Sequence, residues 1–465
     1  MDIDSLEETI CAIATPVGEG GIGIIRVSGS EASAIARRIF QPRHAAFPLE
    51  SHRLYYGSIR DPAADQVVDE VLLSFMAAPR TYTREDVVEV NCHSGYAVLN
   101  RILQLVLQAG ARLAGPGEFT RRAFLNGRID LSQAEAVIDL IRSQSEQGLL
   151  LANRMLQGDF SRRTESWCDS ILGLQAELEA AIDFCEDLED EPSDSLALLT
   201  RLQEEVLGPL AEVLNHYEEG RILREGLTIV LVGRPNVGKS SLLNALLRKD
   251  RAIVTPFPGT TRDVIEDSFL LSGILVRVLD TAGIRRKADG IESLGIERTF
   301  QSVEEADVVL WLIDGSQPLT EEDDAVFAGI AAKSHVMLLN KADLPAKVSA
   351  KDLREHFGSN APILGLSVLI PDRIQGLRDF LTETFLRNPL EMGHSMIVPN
   401  LRHKECLERA LEALLRARDL LRTGAYGELA TIELVAARRQ LQSILGQVRD
   451  DDVLDRVFAQ FCIGK

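Results

Sequence analysis

The chain has 465 residues, of which 45% are hydrophobic and 26% are charged. This composition excludes an intrinsically disordered protein, and the length predicts two to four domains. The 50 basic and 70 acidic side chains give a formal net charge of −20. That charge excludes a protein whose whole surface attracts nucleic acid, so any contact with RNA must be local.

Hydropathy and cysteine spacing narrow the class further. No apolar run approaches the length of a membrane span, and the acidic N-terminus lacks the basic start of a signal peptide. The cysteines stand at positions 11, 92, 168, 185, 406 and 462, and no two of them form a CxxC pair. We therefore expect a reduced, cytoplasmic protein without membrane association, disulfide framework or zinc site.

Residues 1–125 mix short strand-like runs with turns. Two such runs lie at residues 23–27 and 87–90. A helical run at Ala97–Ala109 ends at Gly110, a residue suited to a helix C-cap. This pattern predicts an N-terminal α/β domain over residues 1–125.

Helical spacing of apolar residues begins at Leu131 and continues to about Phe184. A second helical stretch covers about 195–223, and the acidic run Cys185–Asp194 between them, which contains Pro192, is predicted to be a solvated loop. Near the C-terminus the helical pattern returns, in the ranges 401–421, 428–445 and 452–461.

Between these helical stretches the pattern changes. Residues 227 to about 385 alternate apolar strands with helical segments, which predicts a mostly parallel sheet with helices on both faces. The organisation predicted is therefore one helical domain, 126–223 and 386–465, interrupted by an inserted domain at 224–385. Insertion is tolerated where a domain's own ends lie close together.

A phosphate-binding motif follows the strand predicted at Leu227–Val232. Residues 233–240 read GRPNVGKS and lead into an apolar helical run. In this strand–loop–helix context the glycines let backbone N–H groups surround phosphates at a helix N-terminus. Lys239 is predicted to reach the β- and γ-phosphates, and the Ser240 hydroxyl to ligate Mg2+.

Two further motifs each follow a predicted strand. In DTAG, Asp280 is expected to support the Mg2+ and the Gly283 N–H to reach the γ-phosphate. In NKAD, the Asp343 carboxylate can accept two hydrogen bonds from guanine, whereas adenine lacks that pair of donors. Ser367, after another strand, fits the small polar position of a fifth guanine loop. The order of motifs predicts GTP rather than ATP as the ligand.

The segment between the P-loop and DTAG predicts a switch loop, in which Thr261 closes over Mg2+ and the γ-phosphate. Ras-type GTPases place a water-orienting glutamine directly after the DxxG glycine, and here that position is Ile284. The chain must therefore orient water and neutralise transition-state charge by other means. The predicted GTP-binding residues are Asn236, Val237, Gly238, Lys239, Ser240, Ser241, Thr255, Thr260, Thr261, Asp280, Thr281, Ala282, Gly283, Asn340, Lys341, Asp343 and Ser367.

The motifs GRPNVGKSS, PGTTRD, DTAGIR and NKAD resemble those of TrmE-Era-EngA-like GTPases, which carry a hydrophobic residue in place of the glutamine. The segments GGIGIIRVSG, GPGEFT, RAFLN and the terminal FCIGK resemble the MnmE (TrmE) family of tRNA modification GTPases, and this resemblance spans the chain. It implies an α/β plus all-α fold class: an N-terminal folate-binding domain, a central helical domain, and a G domain inserted in the helices.

The resemblance also implies a function. Family members act with the flavoprotein MnmG, as a heterotetramer, on carbon 5 of the wobble uridine of certain tRNAs, adding an aminomethyl or carboxymethylaminomethyl group with a tetrahydrofolate one-carbon unit. They form a homodimer through the N-terminal domain, and tRNA is expected to be contacted largely through the partner. GTP-bound G domains then pair with the help of K+, whose implied ligands here are Asn236, Thr255, the Phe257 carbonyl and Thr260.

Residue roles follow from the same resemblance. Glu292 matches an acidic residue that orients water, although from its sequence alone it is an ordinary solvated glutamate. Arg26, Glu89, Arg128 and Lys465 match positions that hold 5-formyltetrahydrofolate. The family's usual residue at position 128 is lysine, and arginine keeps the charge but changes the geometry. From the sequence alone, a surface ion pair is the favoured interpretation of Arg26 and Glu89.

Cys462 has two interpretations: a catalytic nucleophile or acid/base near the folate site, or a small buried residue on a short tail. The arginine pairs at 37–38, 121–122, 162–163 and 438–439 are expected to lie on solvated helix faces rather than to form a tRNA track. Two other functions stay open, a GTPase switch in ribosome assembly and a folate-dependent one-carbon transferase. The first predicts a basic RNA-binding appendage after the G domain, and the second predicts turnover without GTP.

Overall fold

The computed structural model describes residues 8–18, 20–44, 47–183, 192–250, 266–279, 301–386, 397–423, 427–448 and 450–465. The chain divides into two compact units. The first unit consists of Met1–Ile138, Met155–Leu207 and Cys406–Lys465, and the second of Asp139–Arg154 and Gly208–Glu405. In the described ranges, no helix combines the length and the apolar character needed to cross a membrane.

The first unit contains a seven-stranded sheet in the order β3-β4-β5-β6-β2-β1-β7. All neighbouring strands are antiparallel except β1 and β7, which are parallel. Alternate side chains of the strands enter one core, where the helix after β6 packs against them. The strands are β1 (Ile10–Ile13), β2 (Gly23–Ser28), β3 (Phe40–Pro42), β4 (Arg53–Asp61), β5 (Gln66–Met76), β6 (Val87–Cys92) and β7 (Arg112–Leu113).

Three helices accompany this sheet: α1 (Ala32–Ile39), α2 (Tyr96–Gln108) and α3 (Glu118–Leu125). The helix predicted at 97–109 is therefore present as α2, and Gly110 follows it with a positive φ of 114°. Gly117, directly before α3, has a φ of 65°, and a Cβ there would lie 2.7 Å from the Phe458 carbonyl oxygen. Glycine thus lets the last helix of the chain approach α3 closely.

Long helices form the rest of the first unit. Buried residues of the long helix near the C-terminus recur at Ala430, Leu434, Ala437 and Leu441, the spacing of one helix face, and this face packs on the long helix that contains Trp167. A π-helical turn, Leu202–Leu207, extends one of these helices. In chain order, the remaining helices of both units are α4 (Leu131–Arg142), α5 (Glu146–Leu156), α6 (Asp159–Asp183), α7 (Pro192–Arg201), α8 (Gly208–Asn215), α9 (Tyr217–Glu225), α10 (Lys239–Asp250), α11 (Glu321–Ile330), α12 (Ala350–Phe357), α13 (Pro371–Leu381), α14 (Leu401–Thr423), α15 (Gly427–Leu445) and α16 (Asp451–Phe458).

The start of α7 corrects one expectation. Residues Pro192–Asp194 were predicted to be loop, but α7 begins at Pro192. Proline suits the first turn of a helix, because the N–H it lacks has no intrahelical acceptor there. The remainder of the acidic run, 185–191, lies outside the described residues.

The second unit contains a six-stranded sheet in the order β13-β12-β11-β8-β10-β9. Its strands are parallel except for the β9–β10 pair, which confirms the mostly parallel sheet. The antiparallel edge strand was not predicted. Ser272 and Gly273 join it to β10 with φ values of 53° and 80°, as a two-residue hairpin turn requires. The strands are β8 (Leu227–Val232), β9 (Glu266–Leu271), β10 (Ile274–Leu279), β11 (Val308–Asp314), β12 (His335–Asn340) and β13 (Ile363–Gly365).

Both faces of this sheet are buried, as the alternation of strands and helices predicted. Leu310 and Leu312 of β11 join a core that includes Leu242 of α10. Trp311, between them, joins a second core that includes Leu353 of α12. Successive residues of one strand therefore enter opposite layers, which is why the strand is apolar throughout.

A buried ionic network in the first unit overturns one expectation about the arginine pairs. Arg122 was expected on a solvated face, but it is 1% exposed and donates hydrogen bonds to Glu85, Glu118 and the Glu8 carbonyl. Burial alone would raise the pKa of Glu118, but bonds and charges from Arg112, and the charge of Arg122, hold that pKa below its usual value. The ionised Glu118 carboxylate therefore stabilises the folded state. This contribution is complete above the ordinary pKa of a glutamate and is lost as the pH falls through the pKa of Glu118 in the folded protein.

Replacing Arg122 with methionine should destabilise the first unit by about 3–5 kcal/mol, because it removes the buried cation that pairs with Glu118 and Glu85 and leaves the buried Glu118 carboxylate with Arg112 as its remaining cation. Trp167 lies in the first unit and Trp311 in the second, so denaturant unfolding followed by Trp167 fluorescence in a Trp311→Phe background reports on the first unit. Arg162→Met is the control, since Arg162 pairs with Asp159 on the surface. Equal stabilities of the Arg122 and Arg162 variants would contradict the prediction.

Candidate functional site

The phosphate loop joins β8 to α10 in the second unit. Gly233 and Gly238 have φ values of 144° and 108°, and Asn236 has a φ of 64°. A Cβ at Gly233 would lie 2.4 Å from the Leu312 carbonyl oxygen. The sequence therefore needs glycine where the loop turns, and the first N–H groups of α10, which have no intrahelical acceptor, can bind phosphate oxygens.

Lys239 lies at the first position of α10. Its ammonium donates hydrogen bonds to the carbonyl oxygens of Gly233, at 2.6 Å, and Arg234, at 2.9 Å. The cation is thus held across the mouth of the loop, where it can meet a phosphate group. Ser240 and Ser241 are exposed in the same helical turn, so the Ser240 hydroxyl is accessible to a metal ion. A serine hydroxyl beside bound phosphates suits Mg2+, which prefers oxygen ligands.

A second loop contacts the phosphate loop from the end of β12. Asn340 is 1% exposed, and its Nδ2 donates a hydrogen bond of 2.7 Å to the Val237 carbonyl oxygen. The same Nδ2 lies 2.5 Å from where a Cβ of Gly238 would stand, so only glycine allows this approach. The Asn340 Oδ1 is buried and has no hydrogen-bond partner among the described residues. It is an acceptor available to a ligand between the two loops.

The predicted guanine-reading residues also come together. The Ser367 hydroxyl, which is buried, donates a hydrogen bond of 2.6 Å to Asp343 Oδ1. Asp343 itself is exposed, so its carboxylate is fixed on one side and open on the other. A fixed, open carboxylate is the acceptor pair that the N1 and N2 donors of guanine require. The loop identified in the sequence only through Ser367 therefore supports the NKAD loop, residues 340–343.

One residue of this site was missed in the sequence. Asp314, at the end of β11, accepts a hydrogen bond of 2.7 Å from the Lys341 ammonium. Burial would raise the pKa of Asp314, but bonds from Lys341 and Ser316 hold it below its usual value. Lys341 has a φ of 63°, so this ion pair helps to hold a strained loop. The available signal was an Asp-Gly pair at the carboxyl end of a parallel strand, where α/β sites form.

Several predicted residues lie outside the described part of the chain. The switch, K+ and water-orienting assignments among them stay predictions, as does the consequence of Ile284. The residues concerned are Thr255, Phe257, Thr260, Thr261, Asp280, Thr281, Ala282, Gly283 and Glu292. Asn236, the remaining implied K+ ligand, is exposed in the phosphate loop.

A second cluster lies in the first unit. Arg26 on β2 and Glu89 on β6 are register partners, and Arg26 Nε donates to Glu89 Oε1 at 2.7 Å. Their side chains are 20% and 24% exposed, so the pair is half-buried rather than a freely solvated surface pair. Burial, followed by the charge of Arg26, lowers the pKa of Lys465. Arg26 also binds the carbonyl oxygen of Gly464, the residue before Lys465, so the structure brings Arg26, Glu89 and Lys465 together.

The C-terminal tail reaches this cluster through backbone contacts. Arg26 Nη1 donates to the Gly464 carbonyl oxygen at 3.1 Å, and Ile463 forms a β-bridge with Pro116. Gly464 has a φ of 98°, and a Cβ there would lie 2.5 Å from the Ile13 carbonyl oxygen. Glycine at this position thus lets the last residue dock against β1 and β2.

Arg128, the fourth residue of the predicted folate site, packs against Tyr82. Its guanidinium stacks 4.8 Å from the Tyr82 ring centroid and donates to the Tyr82 carbonyl at 3.2 Å. With Arg80 and Arg84 it lines an open cavity of about 510 Å3. Burial raises the pKa of Tyr82, while the charges of Arg128 and Arg26 both act to lower it. Tyr82 packs against a small core that includes Phe119, and the Arg26 guanidinium lies 5.7 Å from the Phe119 ring centroid.

Cys462 is exposed, so the interpretation of it as a small buried residue is wrong. Cys11 and Cys92 are buried instead, and burial raises their thiol pKa values to about 12 and about 11, the Asp69 charge adding to the effect at Cys92. Thiols in such surroundings are poor nucleophiles. Of the cysteines named here, only Cys462 is accessible to a reactant, and it lies three residues from Lys465.

Comparison with known proteins gives matches along the chain. A family model described as GTP-binding protein TrmE N-terminus matches residues 9–128, and one described as MnmE helical domain matches residues 131–462. A protein of Syntrophobacter fumaroxidans named tRNA modification GTPase MnmE is 60% identical, with 100% of each chain covered. A protein of the same name from Carboxydothermus hydrogenoformans is 45% identical over 99% of this chain and 100% of its own length.

Solved structures match a shorter part. The structure of Aquifex aeolicus Era bound to GDP·AlF4− is 27% identical over 40% of this chain and 66% of its own, with a TM-score of 0.25. At this TM-score the likeness supports no argument about fold or function.

Asp343→Asn should weaken GTP binding by on the order of 100-fold or more, because the pair of acceptors becomes one acceptor and one donor and two charge-assisted bonds are lost. Xanthine presents an acceptor where guanine presents a donor, so xanthosine triphosphate should bind the variant better than GTP does. Both affinities can be measured by competition against a fluorescent nucleotide. Asp372→Asn, an exposed carboxylate on α13, is the control, and wild-type GTP affinity in the Asp343 variant would remove its assigned role.

Proposed function

Because the chain belongs to the MnmE (TrmE) family and is a GTP hydrolase of tRNA modification, we propose that it acts with the flavoprotein MnmG on carbon 5 of the wobble uridine. The product is the aminomethyl or carboxymethylaminomethyl uridine of certain tRNAs, and a tetrahydrofolate supplies the one-carbon unit. The acting form is a homodimer through the N-terminal domain, bound to MnmG. The proposed site of action is the cytoplasm.

GTP binding is supported above all by the contact between the phosphate loop and the loop after β12, residues 340–343, which we call the guanine loop. The Asn340 carboxamide binds the Val237 carbonyl at 2.7 Å, so a nucleotide that bridges the loops meets both in a fixed relation. The Lys239 ammonium has carbonyl acceptors of its own loop at 2.6 and 2.9 Å and can exchange them for charged phosphate oxygens. Mg2+ held by Ser240 and Thr261 would neutralise charge on the β- and γ-phosphates.

Ile284 cannot orient water as a glutamine does, so hydrolysis needs another group for that purpose. It also needs a positive charge that stabilises the transition state. We assign that role to K+ held by Asn236, Thr255, the Phe257 carbonyl and Thr260. A cation at this place can replace an arginine finger, whose effect is roughly 10³–10⁵ in rate, or about 4–7 kcal/mol. Glu292 is assigned to positioning the water. Pairing of G domains across a preformed dimer would raise their effective concentration.

The Arg26 cluster supports the folate part. 5-Formyltetrahydrofolate has a pterin with guanine-like donors and a carboxylated tail. The Glu89 carboxylate suits the pterin edge, and Arg26 and Lys465 suit anionic groups. Arg128, in the adjoining cavity, is assigned to the tail. The exposed thiol of Cys462 lies close along the chain and is assigned a nucleophilic or acid/base role.

The decisive experiment is mass analysis of wobble nucleosides in tRNA from a strain that lacks this chain. Loss of the aminomethyl and carboxymethylaminomethyl uridines, restored by the wild-type gene and not by Lys239→Ala or Arg26→Ala, is the expected result. Unchanged nucleosides would contradict the proposal. In that case a ribosome-profile defect would favour the assembly switch.

GTP turnover should be slow in sodium buffers and rise by on the order of 10-fold or more in potassium, because the cation supplies transition-state charge. Asn236→Ala should abolish the rise while nucleotide binding stays largely intact, since Lys239 and the loop amides remain. Turnover is followed by phosphate release, and binding by a fluorescent nucleotide. Identical wild-type rates in the two salts would exclude the K+ role.

Arg26→Ala should weaken 5-formyltetrahydrofolate binding by on the order of 10-fold or more, because it removes a partly buried cation and leaves Glu89 unpaired. Isothermal titration of the full chain measures this directly. Arg43→Ala is the control, since Arg43 stacks on Tyr56 at an exposed position. Equal affinities in both variants would show that Arg26 only stabilises the sheet.

A further inference from the structure

The second residue of the phosphate loop, Arg234, is tied to a different element of the second unit. Its Nη1 lies 3.3 Å from Thr320 Oγ1 and 3.6 Å from Asp323 Oδ2. Thr320 is the N-cap of α11, and Asp323 lies in the first turn of that helix. The Arg234 side chain is 14% exposed and that of Asp323 is fully buried. The guanidinium is therefore held against α11 at a buried carboxylate.

Helix capping alone does not account for this arrangement. Asp323 Oδ2 accepts hydrogen bonds of 3.1 Å from the Thr320 N–H and from the Thr320 hydroxyl. The first of these, together with the contact of the Asp323 N–H with the Thr320 side chain, forms a capping box. The Ser349–Asp352 pair forms the same box on α12, but its side chains are exposed and none of the ion pairs found among the described residues involves Asp352. A capping box thus needs neither burial nor an arginine. Burial of Asp323 makes a balancing cation necessary, and Arg234 provides it.

Arg234 also contacts the functional lysine through its backbone. Its carbonyl oxygen accepts the 2.9 Å hydrogen bond from the Lys239 ammonium. Arg234 therefore has a side chain held at α11 and a carbonyl group that binds the Lys239 ammonium. Because the guanidinium is anchored at α11, the freedom of that peptide is reduced before a nucleotide arrives.

The chain between β11 and α11 reaches the other half of the site as well. At its start, Asp314 binds the Lys341 ammonium, and the Gly315 N–H donates to the Asn340 carbonyl oxygen at 2.9 Å. At its end, Thr320 and Asp323 hold Arg234. The connection thus contacts both the guanine loop and the phosphate loop.

We propose that Arg234 and Asp323 form a positioning pair that holds the phosphate loop in the shape that receives the nucleotide phosphates. The proposal rests on GTP binding at this loop and adds two residues to which no role has been assigned. A loop that is already ordered loses less entropy on binding. Asp323 never touches the nucleotide and acts through Arg234.

Asp323→Asn and Arg234→Met test the pair in the full chain, with fluorescent GDP as the probe. Each single variant should bind GDP about tenfold more weakly. The double variant should bind no more weakly than either single one, because the two side chains act as a unit. Asp324→Asn is the matched control: it removes the same charge from the same helical turn, but Asp324 is exposed and pairs with His356. Its GDP affinity should stay within twofold of wild type.

Thermal unfolding of each variant separates positioning from simple stabilisation. Arg234→Lys keeps a cation for Asp323 and so should keep the unfolding midpoint, while it loses the planar fork that spans Thr320 and Asp323 and should still weaken GDP binding. Lower midpoints with GDP affinities within twofold of wild type in Asp323→Asn and Arg234→Met would overturn the proposal. Additive losses in the double variant would do the same. Failure of the wild-type chain to bind GDP would instead reject the nucleotide site itself.

Discussion

The nucleotide site depends on one buried hydrogen bond, from the Asn340 carboxamide to the Val237 carbonyl oxygen. It joins a loop after β12 to the loop after β8, two strands that are separated in the sheet by β11. Its partners are buried, so neither can be removed without leaving an unsatisfied polar group. The relation between phosphate recognition and base recognition is fixed by this bond, and Gly238 is required because no Cβ fits beside it.

Although the net charge of the chain is acidic, some of its arginines have a structural role in the interior. In the described residues, buried carboxylates face individual arginines: Arg122 faces Glu118 in the first unit, and Arg234 faces Asp323 in the second. Arg122 and Glu118 lie one turn apart on α3, and Arg122 also binds Glu85 and the Glu8 carbonyl outside that helix, whereas Arg234 joins the phosphate loop to α11. Breaking such a pair is costly because the remaining charge stays buried, so these contacts specify geometry more than they add net stability.

In the first unit, the C-terminal tail of the chain is held in place by contacts with β1 and β2. Residues far apart in sequence meet because Gly464 allows the backbone to approach Ile13, and Arg26 then binds the Gly464 carbonyl. The tail brings Lys465 to the Arg26–Glu89 pair and leaves Cys462 exposed. The cluster is therefore made of side chains from two strands and from the end of the chain.

The sequence by itself determined the phosphate loop, the guanine loop and the strands before them, because glycine placement and apolar runs are local signals. It also determined the mostly parallel sheet, since alternating strands and helices leave few other arrangements. Only the tertiary structure decided that Arg122 is buried, that Asp314 supports Lys341, and that Arg234 meets Asp323. Burial and long-range pairing depend on which elements pack together, and residue type and spacing along the chain do not encode that information.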